Sequence, residues 1–486
     1  AYRAGQRLWC SGDHPAWRAK RVSRQPTPEQ LYSVATVATE NDYLVIKRTR
    51  YVVSERPYND LIWIGKIMKI NMPFSNDKYR YSSGYLLFFF AAWSLWWSFY
   101  AIWLKNKLGL SGTELGMLYA VNQFFSMLFM LGYGFLQDKL GTRKPLIWMM
   151  GTVITLSGPF LIYVYEPLLV SNFKLGMVLG AIFFGLGYLA GCGLVESFVE
   201  KVSRKFNFEF GTARFWGSLG YAAGTFVGGI FFSINPHINF WCVSVMGVLF
   251  LVINVVFKTD APAPASTDTR SPEPDALTRK DFLTIFKDSQ FWFFVIFVVG
   301  TWSFYSIYDQ QMFPVFYASL FDDPELAPRV YGYLNSVQVF MEAVGMALVP
   351  FLINRIGPKS ALLLGGTIMT CRILGSALFT DIYIISLIKM LHALEVPLFV
   401  ISVFKFSVAN FDKRLSSTIY LIGFNIASSI GIIVLSLPVG KLFDKVGYQE
   451  IFLIMASIVV ITLIFGYFSL SKKHHQQKGI NELVTE

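Results

Sequence analysis

The chain has 486 residues, of which 54% are hydrophobic and only 15% are charged, with a mean hydropathy of +0.48. This composition excludes an ordinary soluble domain and indicates a protein that crosses a lipid bilayer several times. The formal net charge is +11, but the basic residues cluster in short linkers between apolar runs. The charge therefore predicts membrane topology, and no nucleic-acid partner is expected.

Residues 1–73 differ from everything that follows. They are polar, and no methionine precedes Met68, which is soon followed by Met72. They also lack the basic, apolar and small-residue pattern of a secretory signal. We interpret them as a leader or extension that is either disordered or not native, with translation starting at Met68 or Met72 in the second case.

Twelve apolar runs follow, each long enough to span about 30 Å of hydrocarbon at about 1.5 Å per residue. They cover approximately residues 81–104, 114–137, 146–167, 174–199, 211–235, 238–257, 288–313, 329–353, 361–380, 382–409, 416–441 and 448–471. Basic linkers alternate with neutral or acidic ones. The positive-inside rule therefore predicts a multi-pass protein of a bacterial-type inner (plasma) membrane, with both termini in the cytoplasm.

The runs fall into two groups of six. Residues 258–287 are rich in Pro, Ala, Ser and Thr without hydrophobic periodicity, which predicts a flexible cytoplasmic linker. The segment GFLQDKLGTRK after the second run is echoed by PFLINRIGPKS after the eighth. We therefore predict an all-α integral membrane protein with two pseudo-symmetric six-helix halves, 74–257 and 288–471, and a cytoplasmic tail, 472–486.

Three ionisable residues lie in one of the most apolar runs. Lys389, His392 and Glu395 are spaced three residues apart in IKMLHALEVPLFVISVF, which places them on one face of a helix. Charges at such depth are costly. They usually pair with one another inside a bundle and mark an ion or substrate path.

The chain resembles a known transporter family. GFLQDKLGTRK, with Gly134, Asp138, Gly141, Arg143 and Lys144, resembles the conformational loop of the major facilitator superfamily. GLVESFVEKVSRKFNFEFGTARFWGSLGY, FYSIYDQQMF and IKMLHALEVPLFVISVFKF are similar to the oligosaccharide/proton symporter family, that of lactose permease. The resemblance covers about residues 74–473. It implies alternating access, a disaccharide and a proton as substrates, a monomer, and no cofactor, metal or catalytic chemistry.

The resemblance also implies where the sugar binds. Glu196 and Arg214 match the acid and the guanidinium that hold the sugar, and both groups can engage neighbouring hydroxyls bidentately. The alternative is an ordinary salt bridge at the end of a loop. Tyr221 stands at a stacking position and offers a ring face and a hydroxyl, although membrane aromatics more often simply pack. Ser218 lies one turn from Arg214.

A second group is implied to handle the proton. Arg372, His392 and Glu395 match it, with Tyr305 beside them, and His392 is also expected to contact the sugar. Apolar surroundings favour the protonated form of Glu395 until Arg372 approaches. For His392 alone, the alternative is a hydrogen-bonded core residue.

Asp309 and Lys389 match a buried ion pair, which we interpret as structural. Removing one member of such a pair strands the other charge, so the presence of both residues favours pairing between them.

One stretch departs from the lactose pattern. In YLNSVQVFMEAVGM, the family's sugar-binding acid aligns with Val339, whereas Glu342 lies three residues later on the same helical face. Gln338 and Asn335 add amides nearby. We therefore expect a sugar other than lactose, with sucrose favoured and maltose, raffinose or melibiose open.

Two other functions remain as alternatives. A proton/drug antiporter of the same fold would favour a broad apolar cavity, whereas these polar groups suit a hydroxyl-rich ligand. A sugar sensor that does not transport would have little need for the proton group. Neither the linker nor the tail is large enough for a signalling domain.

Overall fold

The computed structural model describes residues 75–258, 285–411 and 415–471, and the backbone of two short strands in the N-terminal extension. These strands, Ala35–Glu40 (β1) and Tyr43–Arg48 (β2), pair antiparallel with Ala35 opposite Arg48. They belong to a compact unit, Ala1–Asn71, and the helices belong to a second unit. The sequence analysis missed the strands. The predicted linker beyond residue 258 and the predicted tail beyond residue 471 lie almost entirely outside the described residues.

The second unit consists of membrane helices. Eleven described helices are long and apolar enough to cross a membrane, and a bent pair provides a twelfth span. The spans are α1 (Asp77–Lys107), α2 (Gly112–Leu140), α3 (Pro145–Thr155 with Ser157–Ser171), α4 (Phe173–Phe206), α5 (Phe210–Ile234), α6 (Pro236–Val256), α7 (Ser289–Ser319), α8 (Leu326–Ile356), α9 (Pro358–Leu378), α10 (Ile382–Asn410), α11 (Tyr420–Val446) and α12 (Tyr448–Ser469). The two parts of α3 meet at 50°. The predicted all-α fold of twelve spans is confirmed for this unit.

Local sequence explains several helix ends. Ser111 caps α2 through a capping box, in which its side chain accepts from the Glu114 amide and the Glu114 carboxylate accepts from the Ser111 amide. At the other end, α2 stops at Gly141, whose φ is 58°, and α8 stops at Gly357, whose φ is 83°. Both glycines adopt positive φ at little steric cost. They occupy equivalent positions of the repeated segments GFLQDKLG and PFLINRIG, which supports the repeat.

The conformational loop is tied to neighbouring helices. The Lys201 ammonium on α4 lies 3.0 Å from the Asp138 carboxylate and donates to the Gln137 carbonyl at 2.9 Å. The second half repeats this arrangement without the ion pair, because Lys405 on α10 donates to Asn354 at 2.6 Å. Lys144 donates to the carbonyl oxygens of residues 254 and 257, at the end of α6. Gly134 leaves open space around its Cα. Asp138 and Lys144 are thus held by contacts to α4 and α6, and Arg143 is exposed.

The two halves approach closely at one end of the helices, the end predicted to be extracytoplasmic. There α2 packs on α11 so tightly that a Cβ on Gly440 would collide with the carbonyl oxygen of Gly112. On the opposite side, α8 packs on α5, and a Cβ on Gly332 would lie 2.7 Å from the carbonyl oxygen of Thr225. We call this region the outer junction. Hydrogen bonds reinforce it, since Asp444 on α11 accepts from the amides of Gly112 and Thr113 at 2.7 Å each and from the Thr113 hydroxyl at 2.6 Å.

Two helices that carry predicted site residues, α4 and α7, contain π-helical segments. In α7, residues Ile307–Met312 form such a segment, which includes Asp309, and in α4, which carries Glu196, Gly185–Leu189 form another. Insertions of this kind are frequent at functional sites because they release backbone carbonyls and re-aim side chains. One carbonyl in α7, that of Gln310, accepts from the Tyr119 hydroxyl of α2 at 2.8 Å. The irregular turn of α7 therefore also contacts the other half.

Candidate functional site

The first half contributes an ion pair between two helices. The Nε of Arg214 on α5 donates to the Oε1 of Glu196 on α4 at 2.6 Å. The guanidinium lies over the Phe90 ring, 4.1 Å from its centroid, and its Nη1 lies 3.4 Å from the Ser218 hydroxyl. The side chains of Arg214 and Glu196 are 33% and 32% exposed. Each therefore keeps free donor or acceptor positions that a hydroxyl-rich ligand can use.

Tyr221, one of the predicted binding residues, lies in a polar bridge. Its hydroxyl accepts from Ser98 on α1 at 3.4 Å, and its ring meets Trp93 edge to face with centroids 6.3 Å apart. Asn335 on α8 donates to the same Ser98 hydroxyl at 3.4 Å and to the Thr225 hydroxyl on α5 at 3.3 Å. Asn335 thus connects the halves. The sequence analysis missed Ser98 and Thr225, although small hydroxyl residues in apolar runs are a recognisable signal of interhelical hydrogen bonds.

The second half contains a buried cluster organised around Arg372 on α9, whose side chain is 0% exposed. Its Nη2 lies 2.7 Å from the Oδ1 of Asp309, and its Nη1 donates to the Tyr305 hydroxyl at 2.7 Å. The same Nη1 contacts the Glu395 carboxylate, which is also fully buried. Tyr305 in turn donates to Oε1 of Glu395 at 2.5 Å. One guanidinium therefore neutralises a fully buried acid, Glu395, and a second acid, Asp309, that is 17% exposed. An unpaired charge at such depth is costly.

His392 lies between this cluster and another acid. Its Nδ1 lies 2.9 Å from Nη1 of Arg372 and 3.3 Å from Oε1 of Glu395, and it also contacts the Tyr305 hydroxyl. Its Nε2 faces the other way and lies 3.6 Å from Oε2 of Glu342 on α8. The imidazole therefore connects the buried cluster around Arg372 to Glu342, whose side chain is 24% exposed. Protonation at one nitrogen changes what the other can donate or accept.

The prediction of an ion pair between Asp309 and Lys389 is wrong for this conformation. The carboxylate of Asp309 pairs with the Arg372 guanidinium. No carboxylate among the described residues lies within 4.0 Å of the Lys389 ammonium. The Lys389 ammonium instead lies over the rings of Phe313 and Tyr331, 5.1 and 5.0 Å from their centroids. The physical reason is that a guanidinium binds two acids at once, whereas an ammonium is a single point charge that aromatic faces can also accommodate.

Gln338, a predicted binding residue, is buried on α8 and only 3% exposed. Its Oε1 has no hydrogen-bond partner among the described residues. Glu342 follows one turn later on the same helix and is the better exposed of the two. No group of three or more His, Cys, Asp or Glu in the described part of the chain could hold a metal.

Comparison with known proteins identifies the family. The sequence model of the LacY proton/sugar symporter matches residues 71–481. The sucrose permease of Escherichia coli is 61% identical over 409 residues, which cover 84% of this chain and 97% of that protein. The chain belongs to the LacY proton/sugar symporter family. The raffinose permease of Escherichia coli, another relative of this LacY-family chain, is 34% identical over 82% of the chain and 93% of its own length.

Solved structures of distant proteins show the same fold. The crystal structure of the nucleoside transporter NupG superposes with a TM-score of 0.66 over 82% of this LacY-family chain and 100% of that chain, at 14% identity. At this identity the likeness shows the fold alone, which is the major facilitator fold predicted above. The family assignment and the apolar spans, together, show a multi-pass protein of the bacterial inner membrane that transports sugar together with protons.

Proposed function

We propose that this symporter imports sucrose. The observation that carries the proposal is the placement of the acids. Glu196 remains paired with Arg214 in the first half, whereas the exposed acid of α8 is Glu342, 3.6 Å from His392. The named function of the Escherichia coli relative at 61% identity supports sucrose as the sugar.

The sugar binds between the two halves. Arg214 donates hydrogen bonds to the hydroxyl oxygens of one ring of the disaccharide, and Glu196 accepts hydrogen bonds from hydroxyls of the same ring. Ser218 lies beside them, and Tyr221 offers an aromatic face. Glu342, supported by Gln338, Asn335 and His392, engages the other ring. Charged hydrogen bonds give orientation as well as attraction, which suits a ligand recognised by its hydroxyl positions.

Glu395 carries the proton. When Glu395 is protonated, Arg372 needs to neutralise only Asp309. When Glu395 is ionised, Arg372 neutralises both Glu395 and Asp309, and it contacts both carboxylates in the structure. A sugar whose hydroxyls donate hydrogen bonds to Glu342 alters the environment of His392, and His392 touches Glu395. Through this contact, sugar binding favours the protonated protein, and the two ligands become coupled.

The direction of opening follows from topology. With both termini in the cytoplasm, the outer junction lies on the extracytoplasmic side. Its close helix contacts and the three hydrogen bonds of Asp444 support an inward-facing conformation. The transport cycle then alternates between this state and one in which the outer junction opens. The protein needs no cofactor besides the proton and acts as a monomer.

Transport in everted or intact vesicles tests the proposal. Labelled sucrose uptake is measured together with external pH, and we expect alkalinisation of the medium that starts with sugar addition. Unlabelled sucrose should compete more strongly than maltose, raffinose, melibiose or lactose. Uptake of sucrose without proton movement would contradict coupling, and stronger competition by another sugar would contradict the assignment of sucrose. A drug substrate exchanged against protons would point to the antiporter alternative.

A further inference from the structure

The side chain of Tyr119 reaches from the first half to the second. It lies on α2 and is 6% exposed, and its ring packs on the α1 rings of Trp97 and Tyr100, with centroids 5.7 and 5.8 Å away. Its hydroxyl donates to the backbone carbonyl of Gln310 on α7 at 2.8 Å. The first half therefore holds the ring, while the second half supplies the acceptor. Tyr119 belongs neither to the sugar-binding residues nor to the buried cluster around Arg372.

Local sequence explains why the Gln310 carbonyl is available. In a regular helix this oxygen accepts from the backbone N–H four residues later, but that residue is Pro314, which has no N–H. The π-helical segment Ile307–Met312 ends just before it. A backbone acceptor that loses its helical donor needs another partner, and the Tyr119 hydroxyl provides one.

The same stretch of backbone carries an acid of the buried cluster. Asp309 directly precedes Gln310, and its Oδ1 lies 2.7 Å from Nη2 of Arg372 and 3.4 Å from Nδ1 of His392. A hydrogen bond that fixes the Gln310 carbonyl therefore also fixes the backbone from which Asp309 reaches Arg372. Because the guanidinium contacts Glu395 as well, the position of Asp309 affects how Arg372 meets Glu395.

Tyr119 lies on the face of α2 that packs on the second half. Gly112, Gly116 and Tyr119 are spaced four and three residues apart, which aligns them along one face of the helix. A Cβ on Gly116 would lie 2.4 Å from the Ser436 carbonyl oxygen of α11, so the two backbones touch there. Opening of the outer junction separates these helices, and it therefore carries Tyr119 away from the Gln310 carbonyl.

We propose that Tyr119 is a positioning residue that couples closure of the outer junction to the buried cluster through the Gln310 carbonyl. While the junction is closed, the hydrogen bond holds Asp309 against Arg372, and the guanidinium is placed to meet the ionised Glu395. When the junction opens, the bond is lost and the guanidinium is held less well, which favours the protonated Glu395 that sugar binding requires. This role rests on the proposed function, in which Glu395 carries the proton.

The pH dependence of sugar binding reports the state of the cluster. Four charged groups surround Asp309 and Glu395 in the described part of the chain, and they are Glu342, Arg372, Lys389 and His392. Four phenols on α5, α7 and α8 also face them, namely Tyr221, Tyr305, Tyr308 and Tyr331. Tyr119→Phe keeps all eight groups and removes one hydroxyl, so a changed pH profile would arise from the lost hydrogen bond.

Equilibrium binding of sucrose to the purified full chain, measured as a function of pH, tests the proposal. At acidic pH we expect Tyr119→Phe to bind within about twofold of the wild type, because Glu395 is protonated in both. The variant should lose affinity at a pH about half a unit higher, since one hydrogen bond fewer supports the ionised Glu395. An unchanged midpoint would overturn the coupling role. A wild-type affinity that does not vary with pH would instead contradict the proposed function itself.

Tyr133 offers a matched control on the same helix. It is also 6% exposed, and its hydroxyl donates to the Leu186 carbonyl of α4 at 2.7 Å, within the first half. Tyr133→Phe should lower the thermal unfolding midpoint about as much as Tyr119→Phe and leave the pH profile unchanged. An equal pH shift in both variants would mean that the effect is general destabilisation, and it would overturn the proposal.

A double variant tests whether Tyr119 is the route of coupling. Asp444→Ala weakens the outer junction at a contact that includes neither Tyr119 nor the buried cluster. It should raise the pH midpoint in the wild-type background and produce less than about half of that shift in the Tyr119→Phe background, because residues that act through one route are not additive. Fully additive shifts would show that the junction reaches the cluster without Tyr119 and would overturn the proposal.

Discussion

The ionisable groups of the two halves are built in opposite ways. In the first half, Arg214 and Glu196 form one ion pair, and both side chains are about a third exposed. In the second half, Arg372 and Glu395 are fully buried, and the guanidinium also serves Asp309. We call Arg214 and Glu196 the wet pair, and Arg372, Glu395, Asp309 and Tyr305 the dry cluster. Either member of the wet pair can exchange its partner for a sugar hydroxyl at little cost. The ion pairs of the dry cluster can change only if a proton moves. Under the proposed function, the partly exposed pair of the first half binds one sugar ring and the buried cluster of the second half stores the proton, while Glu342 and His392 lie between the sugar and that cluster.

The largest effect is expected from the centre of the dry cluster. Arg372→Ala leaves the fully buried Glu395 and the partly buried Asp309 without the guanidinium, and breaking a buried pair in this way costs about 3–5 kcal/mol. We expect a lower thermal unfolding midpoint and no accumulation of sucrose. Arg372→Lys keeps the positive charge but loses the planar guanidinium that contacts two acids at once. It should be more stable than the alanine variant without reaching full transport. Wild-type stability in the alanine variant would mean that the cluster is not dry.

Removing the cation of the wet pair should affect sugar binding and spare the fold. Arg214→Gln loses charge-assisted hydrogen bonds that contribute about 1.5–3 kcal/mol each, so affinity should fall about 100-fold. Because both partners are partly exposed, the unfolding midpoint should stay within a few degrees of the wild type. Equilibrium binding of sucrose to the purified protein measures the first quantity and a thermal shift assay the second. A large loss of stability with intact affinity would reverse the assignment of the two halves.

A smaller effect is expected outside both sites, at the outer junction. Asp444→Ala removes three hydrogen bonds between the halves, but water can replace them, so the closed state should lose about 1–2 kcal/mol. Alkylation of a cysteine placed at Leu115 by an impermeant reagent should accelerate about tenfold. Thr113→Val removes only one of the three bonds and should give an intermediate rate. No acceleration in either variant would show that Asp444 does not hold the junction closed.

The smallest effect is expected at Lys389. Its ammonium lies over two aromatic rings, and burial of the charge offsets the gain from that contact. Lys389→Met should therefore change the free energy of unfolding by less than about 1 kcal/mol. A loss as large as that of Arg372→Ala would mean that Lys389 pairs with Asp309 in the dominant state, as the sequence alone suggested.

Much of this arrangement could be predicted from sequence, for identifiable reasons. Each membrane span is a local property of composition and length, so the twelve spans were predictable. Arg214, Glu196, Arg372 and Glu395 were predicted through the family resemblance, and the cost of isolated charges in apolar runs explains why each of them has a partner.

Contacts between distant segments were harder to predict. Asp309 was paired with Lys389 from sequence, and only packing decides that Arg372 reaches it instead. Ser98, Thr225 and Asp444 contact residues more than a hundred positions away, and their hydroxyls and carboxylate look ordinary in sequence. Asn335 was predicted to face the sugar, and the structure adds that it links the halves. Interfaces between rigid halves carry no periodic signal, so these contacts required the structure.

The central claim is that Glu395 holds the proton that drives sugar uptake. Its most direct test compares wild type and Glu395→Gln in the same vesicles, with two readings: uphill accumulation of sucrose under a proton gradient, and exchange of labelled for unlabelled sucrose without one. Gln mimics the permanently protonated acid and cannot release a proton. The account predicts that accumulation disappears while exchange continues near the wild-type rate. Normal proton-driven accumulation in the Gln variant would contradict it.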